Sequence, residues 1–187
     1  MGSRTAQNGK AVEWAKANGP RASEGTFADS AKFGEVVFNC TAGSVSLEAL
    51  KLAGEKTLAG KVLVDVANPL DFSKGMPPTL TVCNTDSLGE QIQRAFPSAK
   101  VVKALNTVGN ELMVNPGLVP GEHDTFVCGN DPQAKAKVVG ILHEFGWKSP
   151  VDLGDITAAR GLEMVLPLWV RTMGALKTRN FNFKIAR

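Results

Sequence analysis

Short, nearly continuous apolar runs alternate with helical patterns along this chain, and this alternation constrains its fold more than any other feature. The runs are rich in β-branched residues and cover residues 36–38, 62–66, 101–105 and 125–128. Runs of this kind are typical of strands that are covered on both faces in a parallel sheet. Because helical segments separate them, we expect right-handed crossovers. The sequence therefore predicts an α/β fold with a doubly wound parallel sheet.

Helical spacing is found between these runs and again near the end of the chain. The predicted helices cover residues 10–18, 27–33, 46–53, 88–96 and 132–145. A longer helix is predicted over 156–177, with a kink at Pro167 because proline has no N–H to donate. Its apolar stripe favours core packing, and a homodimer contact remains the alternative.

The last residues complete a single predicted domain. Residues 181–185 alternate between apolar and polar side chains, which predicts a terminal strand. We therefore expect one domain over 1–187, in which 156–187 form a C-terminal helix and strand. At 187 residues with 43% hydrophobic content, the chain is able to bury a core of ordinary size.

Charge and cysteine content argue against several classes of partner. The net charge of +3 is not concentrated in a long basic block, so we expect no nucleic-acid partner. Cys40, Cys83 and Cys128 are widely separated, which disfavours both a zinc site and a disulfide framework. The chain has neither a signal-peptide pattern nor an apolar stretch long enough to span a bilayer. The sequence therefore predicts a cytoplasmic protein with no membrane or metal site.

Small and amide residues follow three of the predicted strands. In a doubly wound sheet, ligands bind beyond the carboxyl ends of the strands. Such residues let the backbone come close to a flat ring or a ribose. Each loop alone is an ordinary turn, so the prediction of a ligand site rests on all three together. The candidate residues are Thr41, Ala42, Gly43, Asn68, Pro69, Asn106 and Thr107.

The first residues of the chain favour NADP over NAD. An acidic residue after the second strand of such a fold binds the ribose 2′-hydroxyl of NAD, yet no acid precedes Glu13. Arg4 instead offers a planar fork that suits a 2′-phosphate, and Ser3 and Thr5 add hydroxyl groups. The alternative is a solvated arginine near a frayed terminus.

No catalytic acid or base is assigned from the sequence. Hydride transfer between two bound cofactors needs alignment of two ring carbons and a dry site, so protein side chains can act by orientation alone. The phosphate-binding motif G-x-G-x-x-G is also absent, since none of the 19 glycines is followed by another two positions later.

Several short motifs occur in a characteristic order. They lie at residues 2–5, 65–70, 84–87, 103–107, 128–131, 152–155, 158–163 and 181–184. Together they resemble the NADPH-dependent deazaflavin reductase family, the coenzyme F-420-dependent NADP oxidoreductases. The resemblance implies a Rossmann-like domain with a small C-terminal part, and hydride transfer between NADPH and a deazaflavin.

The same resemblance implies roles for the candidate residues. Ser3, Arg4 and Thr5 would hold the 2′-phosphate, and Thr41, Ala42 and Gly43 would lie along the cofactor towards its nicotinamide. The loops that would border the reacting rings contain Asn68, Pro69, Asn106 and Thr107. The acceptor of the hydride stays open, because a flavin or ferric reductase domain on the same scaffold is an alternative.

The resemblance also has one departure. Family members begin with a strand, a glycine-rich turn, a helix and a second strand, all of which precede the position of Gly2. We therefore expect a sheet that lacks these elements and an open apolar edge at residues 36–38. Loss of the glycine-rich turn would weaken NADP binding by about 1.5–3 kcal/mol for each charge-assisted hydrogen bond removed. A further alternative is a truncated, non-catalytic module that pairs with another chain through this edge.

Overall fold

The computed structural model describes residues 1–186, in which strands and helices alternate. The strands are β1 (Gly2–Ser3), β2 (Gly25–Thr26), β3 (Val36–Asn39), β4 (Val62–Asp65), β5 (Leu70–Asp71), β6 (Thr79–Leu80), β7 (Lys100–Ala104), β8 (Phe126–Gly129) and β9 (Val151–Asp152). The helices are α1 (Gly9–Ala17), α2 (Phe27–Phe33), α3 (Gly43–Ala53), α4 (Glu55–Leu58), α5 (Leu88–Ala95), α6 (Asn110–Val114), α7 (Pro132–Glu144), α8 (Ala159–Met164) and α9 (Leu166–Leu176). Short 3₁₀ turns cover Pro116–Leu118 and Ile156–Ala158.

Five strands form the central sheet, in the spatial order β3, β4, β7, β8, β9. Strands β3, β4 and β7 are parallel, and β9 is parallel to β8. Strand β8 runs antiparallel to β7, so the prediction of an all-parallel sheet was wrong at this strand. The connection holds only α6 and a 3₁₀ turn, and β8 starts at the edge where β7 ends. The sheet is mostly parallel, and the α/β prediction is confirmed.

Alternate residues of the buried strands pack on opposite faces of this sheet. One core joins strand residues to helices α3, α5 and α8, and includes Leu50, Leu63, Ile92, Val101 and Leu162. The other core joins strand residues to α7, and includes Val64, Val102, Val138 and Leu142. Helices on both faces make the sheet doubly wound in the Rossmann-like manner. Continuous burial of the apolar runs is therefore what made these strands recognisable in the sequence.

The first strands form a small sheet of their own. Strands β1 and β2 are parallel, with Gly2 opposite Gly25 and Ser3 opposite Thr26. Within residues 1–186, strand β3 is hydrogen-bonded to β4 only, and the Phe38 side chain on it is 39% exposed. The structure thus contains the open apolar edge that the sequence predicted. A hairpin of β5 and β6 forms a third sheet.

The C-terminal part differs from its prediction in two ways. The predicted helix over 156–177 is a 3₁₀ turn followed by α8 and α9, and Pro167 lies in the first turn of α9. Proline is accepted there because the N–H groups of a first turn have no partner within the helix. Residues 181–185 form no strand. They run along the loop before β8, where Asp124 N–H donates to the Phe183 carbonyl at 3.1 Å.

No helix within residues 1–186 combines the length and the apolar character that crossing a membrane requires.

Candidate functional site

The loops after β3, β4 and β7 leave the central sheet at one edge. These three strands are parallel and in register, so Asn39 lies opposite Asp65, and Asp65 lies opposite Lys103. The residues that follow each strand therefore emerge side by side. We call this edge the rim, and it consists of residues 40–43, 66–69 and 105–107.

Asn68 and Asn106 join the second and third loops of the rim. Asn68 Nδ2 donates to the Asn106 carbonyl at 2.8 Å, and Asn106 Nδ2 donates to Asn68 Oδ1 at 2.9 Å. Asn106 Nδ2 also donates to the Leu162 carbonyl at 3.0 Å, which ties the rim to α8. Asn106 and its neighbour Thr107 are only 3% and 2% exposed. This part of the rim is therefore rigid and shielded from water.

Gly43 brings the first loop against the second. A Cβ atom at Gly43 would lie 2.1 Å from the Asn68 carbonyl oxygen and 3.0 Å from Pro69 Cα. Both are backbone atoms, so no side-chain movement could make room for a larger residue. Only glycine permits this approach. Together with the Asn68–Asn106 pair, it links all three loops into one surface.

Helix α3 starts directly at the rim. Ala42 is its N-cap residue, and no side chain within the described residues caps its first N–H groups. The positive end of the helix dipole is consequently available to an anionic group or a carbonyl oxygen. Thr41 Oγ1 donates to Asn39 Oδ1 at 2.7 Å and lies 2.9 Å from Ser46 Oγ. These contacts fix the turn that precedes the helix.

A buried ion network lies beneath the rim. Lys103 is fully buried, and its Nζ donates at 2.8 Å to Asp65 Oδ2 and lies 2.8 Å from Glu163 Oε1. It also donates to the Ala67 carbonyl at 2.5 Å. Burial by itself lowers the pKa of Lys103, but the two carboxylates outweigh burial and hold this pKa above its ordinary value. The ammonium group therefore stays charged inside the protein.

Both carboxylates of the network also accept hydrogen bonds from the backbone. Asp65 Oδ1 accepts from Ala67 N–H at 3.2 Å and from Asn39 Nδ2 at 2.9 Å. Glu163 accepts from the Leu88 and Gly89 N–H groups at 2.8 and 3.0 Å, at the start of α5. A carboxylate at that position is stabilised by the helix dipole. The network thus joins the ends of three strands to α5 and α8.

Ser3 and Arg4 share a second part of the site with Thr41. A cavity of about 270 Å³ lies between the start of the chain and α3. Its lining residues are Gly2, Ser3, Arg4, Phe27, Thr41, Val45, Glu48, Ala49 and Leu52. Arg4 is exposed, and the Ser3 hydroxyl donates to the Thr5 carbonyl within the turn. The structure brings Ser3, Arg4 and Thr41 to one cavity, whereas Thr5 and the remaining candidates lie outside its lining.

The segment after α9 covers the far side of the third loop. A Cβ atom at Gly109 would lie 2.9 Å from the Arg179 carbonyl oxygen, so the two backbones are in close contact. Trp169 of α9 stacks on Phe181, with ring centroids 5.2 Å apart. The indole and phenyl rings hold this covering segment in place.

The ion network of Asp65, Lys103 and Glu163 was not predicted from the sequence. Asp65 and Lys103 lie within apolar runs that were interpreted as strands, and Glu163 lies in a predicted helix. A charged residue inside a strand that is buried on both faces is rarely tolerated without a partner. The positions of Asp65 and Lys103 inside apolar runs were therefore the sequence signal for a buried ion pair.

The chain is similar in sequence and structure to several known proteins. The sequence model of the family described as NADP oxidoreductase, coenzyme F420-dependent, matches residues 2–69. The F420-dependent NADP reductase of Methanocaldococcus jannaschii is 28% identical over 84% of this chain and 70% of its own length. A crystal structure from Arthrobacter sp. FB24, described as a candidate F420-dependent NADP-reductase, is 54% identical with a TM-score of 0.94. The alignment covers 100% of this chain and 87% of that one.

The chain belongs to the coenzyme F420-dependent NADP oxidoreductase family. The part matched by the family's sequence model contains Ser3, Arg4, Thr41, Gly43 and Asn68. A shorter alignment relates the chain to metalloreductase STEAP3 of Rattus norvegicus, which is 32% identical over 64% of the chain. The aligned part is only 24% of that protein.

This member of the F420-dependent family also has a larger groove, of about 620 Å³. It lies between residues 116–124, residues 146–149 and residues 184–186, and none of the rim residues lines it. We call it the C-terminal groove. A ligand could also bind in this groove, so an experiment that locates bound NADPH can distinguish the groove from the rim.

Proposed function

We propose that this protein transfers a hydride between NADPH and the deazaflavin of coenzyme F420 at the rim. The observation that carries the proposal is the joining of three loops by Gly43, Asn68 and Asn106. The carboxyl ends of parallel strands are where a doubly wound fold binds nucleotides. Family membership supports the same function and makes a non-catalytic module the weaker alternative.

The residues around the 270 Å³ cavity suit the phosphorylated end of NADPH. The Arg4 guanidinium is exposed and presents a planar fork that can bind a phosphate through two hydrogen bonds. Ser3 and Thr5 would add hydroxyl or backbone donors beside it. Thr41 and Ala42 then continue the binding surface to the uncapped start of α3, which can receive a further polar group of the cofactor.

The residues of the rim suit the two reacting rings. When bound, NADPH would supply a hydride to the deazaflavin, and the one proton that completes the reduction would come from solvent, so no protein side chain has to transfer it. Gly43 lets the first loop lie directly against the second, where Asn68 and Pro69 form the adjacent corner. Asn106 and Thr107 are buried and would exclude water from that corner. The contribution of these residues is orientation, and orientation alone can supply a large part of a rate enhancement.

A flavin or ferric acceptor is a second candidate, favoured by the similarity to a metalloreductase. The same rim would then orient NADPH, and only the acceptor would differ. The rim holds one thiol, Cys40, and its other polar side chains are amides and hydroxyls, so the rim does not supply a set of metal ligands. We therefore place F420 first and ferric iron second.

The experiment is a comparison of acceptors with the purified protein under anaerobic conditions. We expect NADPH oxidation to be matched, molecule for molecule, by loss of the F420 absorption band. NADH should support a much lower rate than NADPH. Turnover with flavin mononucleotide or ferric chelates, but not with F420, would replace the first candidate with the second. Absence of turnover with all of these acceptors would contradict both.

A further inference from the structure

We propose that Lys103 is a positioning residue that holds the Asn68 corner in place for hydride transfer. It does so from beneath the rim, through the Ala67 carbonyl, without touching either cofactor. The effect on catalysis rests on the proposed function. The effect on the position of the loop does not, because it follows from contacts within the chain.

The backbone that leads into Asn68 is held at three successive groups. Val66 N–H donates to the Asn39 carbonyl at 3.1 Å, and Ala67 N–H donates to Asp65 Oδ1 at 3.2 Å. Lys103 Nζ donates to the Ala67 carbonyl at 2.5 Å. The next residue is Asn68, which is joined to Asn106. Hydrogen bonds therefore hold the loop at each step between β4 and Asn68. Lys103 supplies the last of these backbone contacts before Asn68.

The donors of Lys103 are all in use. An ammonium group has three N–H bonds, and here they point to Asp65, Glu163 and Ala67. The two carboxylates keep the lysine charged and fixed, so the third donor is aimed in one direction. A buried ion pair is weak evidence for a stabilising role, since apolar residues of similar size are often as stable. An apolar side chain could not hold the Ala67 carbonyl, and this is the contribution that distinguishes Lys103.

The position of Asn68 matters because it lies at the junction of the three loops. Its carbonyl contacts Gly43 and its side chain contacts Asn106. A shift of the loop would move the corner beside the reacting rings. It would leave in place Ser3, which belongs to a separate sheet, and its neighbour Arg4. We therefore expect loss of Lys103 to lower kcat and to leave the affinity for NADPH nearly unchanged.

The test compares Lys103→Met with Lys100→Met, a matched control on the same strand. Lys100 pairs with Asp131, its side chain is 37% exposed, and it lies at the end of β7 away from the rim. For Lys103→Met we expect kcat to fall by about 10- to 100-fold, because small misplacements of reacting atoms have effects of this size. The KM for NADPH should stay within about threefold of the original value. The control should retain both values.

Amide hydrogen exchange provides a readout that does not depend on activity. In Lys103→Met, exchange should accelerate in residues 66–68 and stay unchanged in β1 and β2. The double variant Asp65→Asn with Lys103→Met removes one of the two carboxylates that face the lysine, so the net charge of the network stays as it was, and it replaces the single variant if that fails to fold. Unchanged exchange in 66–68, or an equal acceleration throughout the chain, would overturn the proposal. If the unmodified protein has no NADPH–F420 activity, the proposed function fails, and hydrogen exchange still decides the role of Lys103.

Discussion

Asn68 and Asn106 exchange two hydrogen bonds across the rim, although they are 38 positions apart in the sequence. Each amide donates once to the other residue, and Asn106 adds a third bond to the Leu162 carbonyl. The pair closes the gap between the loops after β4 and β7. The shape of the surface that would hold the reacting rings therefore depends on two amide side chains.

Replacing Asn106 with Ala should destabilise the protein measurably. The substitution leaves the Leu162 carbonyl and Asn68 Oδ1 without their donor in a buried place, at a cost of about 1–3 kcal/mol. Urea unfolding measures this change. Asn180→Ala is the control, since Asn180 is exposed and should change the free energy of unfolding by less than about 0.5 kcal/mol. Equal stability of the two variants would show that the pair contributes nothing.

A methyl group at position 43 should push two loops apart. In Gly43→Ala the new Cβ would overlap the Asn68 carbonyl, so the loops must separate and NADPH turnover should fall. Gly140→Ala is the matched control, because nothing lies within 4 Å of its Cβ position. It is exposed within α7, where alanine favours a helix by about 1 kcal/mol over glycine. Gly43→Ala should therefore lower both the melting temperature and the turnover. Gly140→Ala should raise the melting temperature and leave the turnover unchanged.

Arg4 should select the phosphorylated dinucleotide. Arg4→Ala removes a guanidinium that would bind the 2′-phosphate, so the KM for NADPH should rise by about 10- to 100-fold, which corresponds to the loss of about one charge-assisted hydrogen bond. The KM for NADH should not change, because NADH has no such phosphate. Arg171→Ala, on an exposed position of α9, should leave both values unchanged. A parallel rise for both dinucleotides would contradict a specific phosphate contact.

The Asp86–Arg94 pair should make part of the stability sensitive to acid. The hydrogen bonds from Arg94 lower the pKa of Asp86 from 3.8 to about 2, so the charged form is favoured in the folded state. The stabilisation is fully present above the ordinary pKa and is lost as the pH falls from about 4 towards 2. Unfolding curves of the original protein and Asp86→Asn should therefore differ most near neutral pH. The difference should disappear in acid, and a difference that persists at pH 2 would contradict this assignment.

The strands were predictable because their burial is visible in the sequence. Residues 62–66 and 101–105 are apolar without interruption except at Asp65 and Lys103, and both became central strands. Their direction was not visible, since an apolar run reads the same in either direction, and β8 proved antiparallel. The kink predicted at Pro167 is instead a break between α8 and α9, because proline permits either a kink or a new helix start.

The candidate site was predictable only in its loops. Small and amide residues after three strands pointed to the rim, and the structure brings those loops together. The contacts that join them depend on pairs such as Asn68 with Asn106, and Asp65 with Lys103, that are far apart in sequence. Such pairing follows from the register of the strands, which a single sequence does not specify. The charged residues inside apolar strands were a signal, but they did not identify their partners.

The most direct test of the account is a titration of the isotope-labelled protein with NADPH, followed through the backbone amide resonances. We expect the shifts to concentrate at residues 3–5, 41–43, 67–68 and 106–107, and to spare the C-terminal groove. Shifts confined to residues 116–124, 146–149 and 184–186 would instead place the cofactor in that groove and contradict the account.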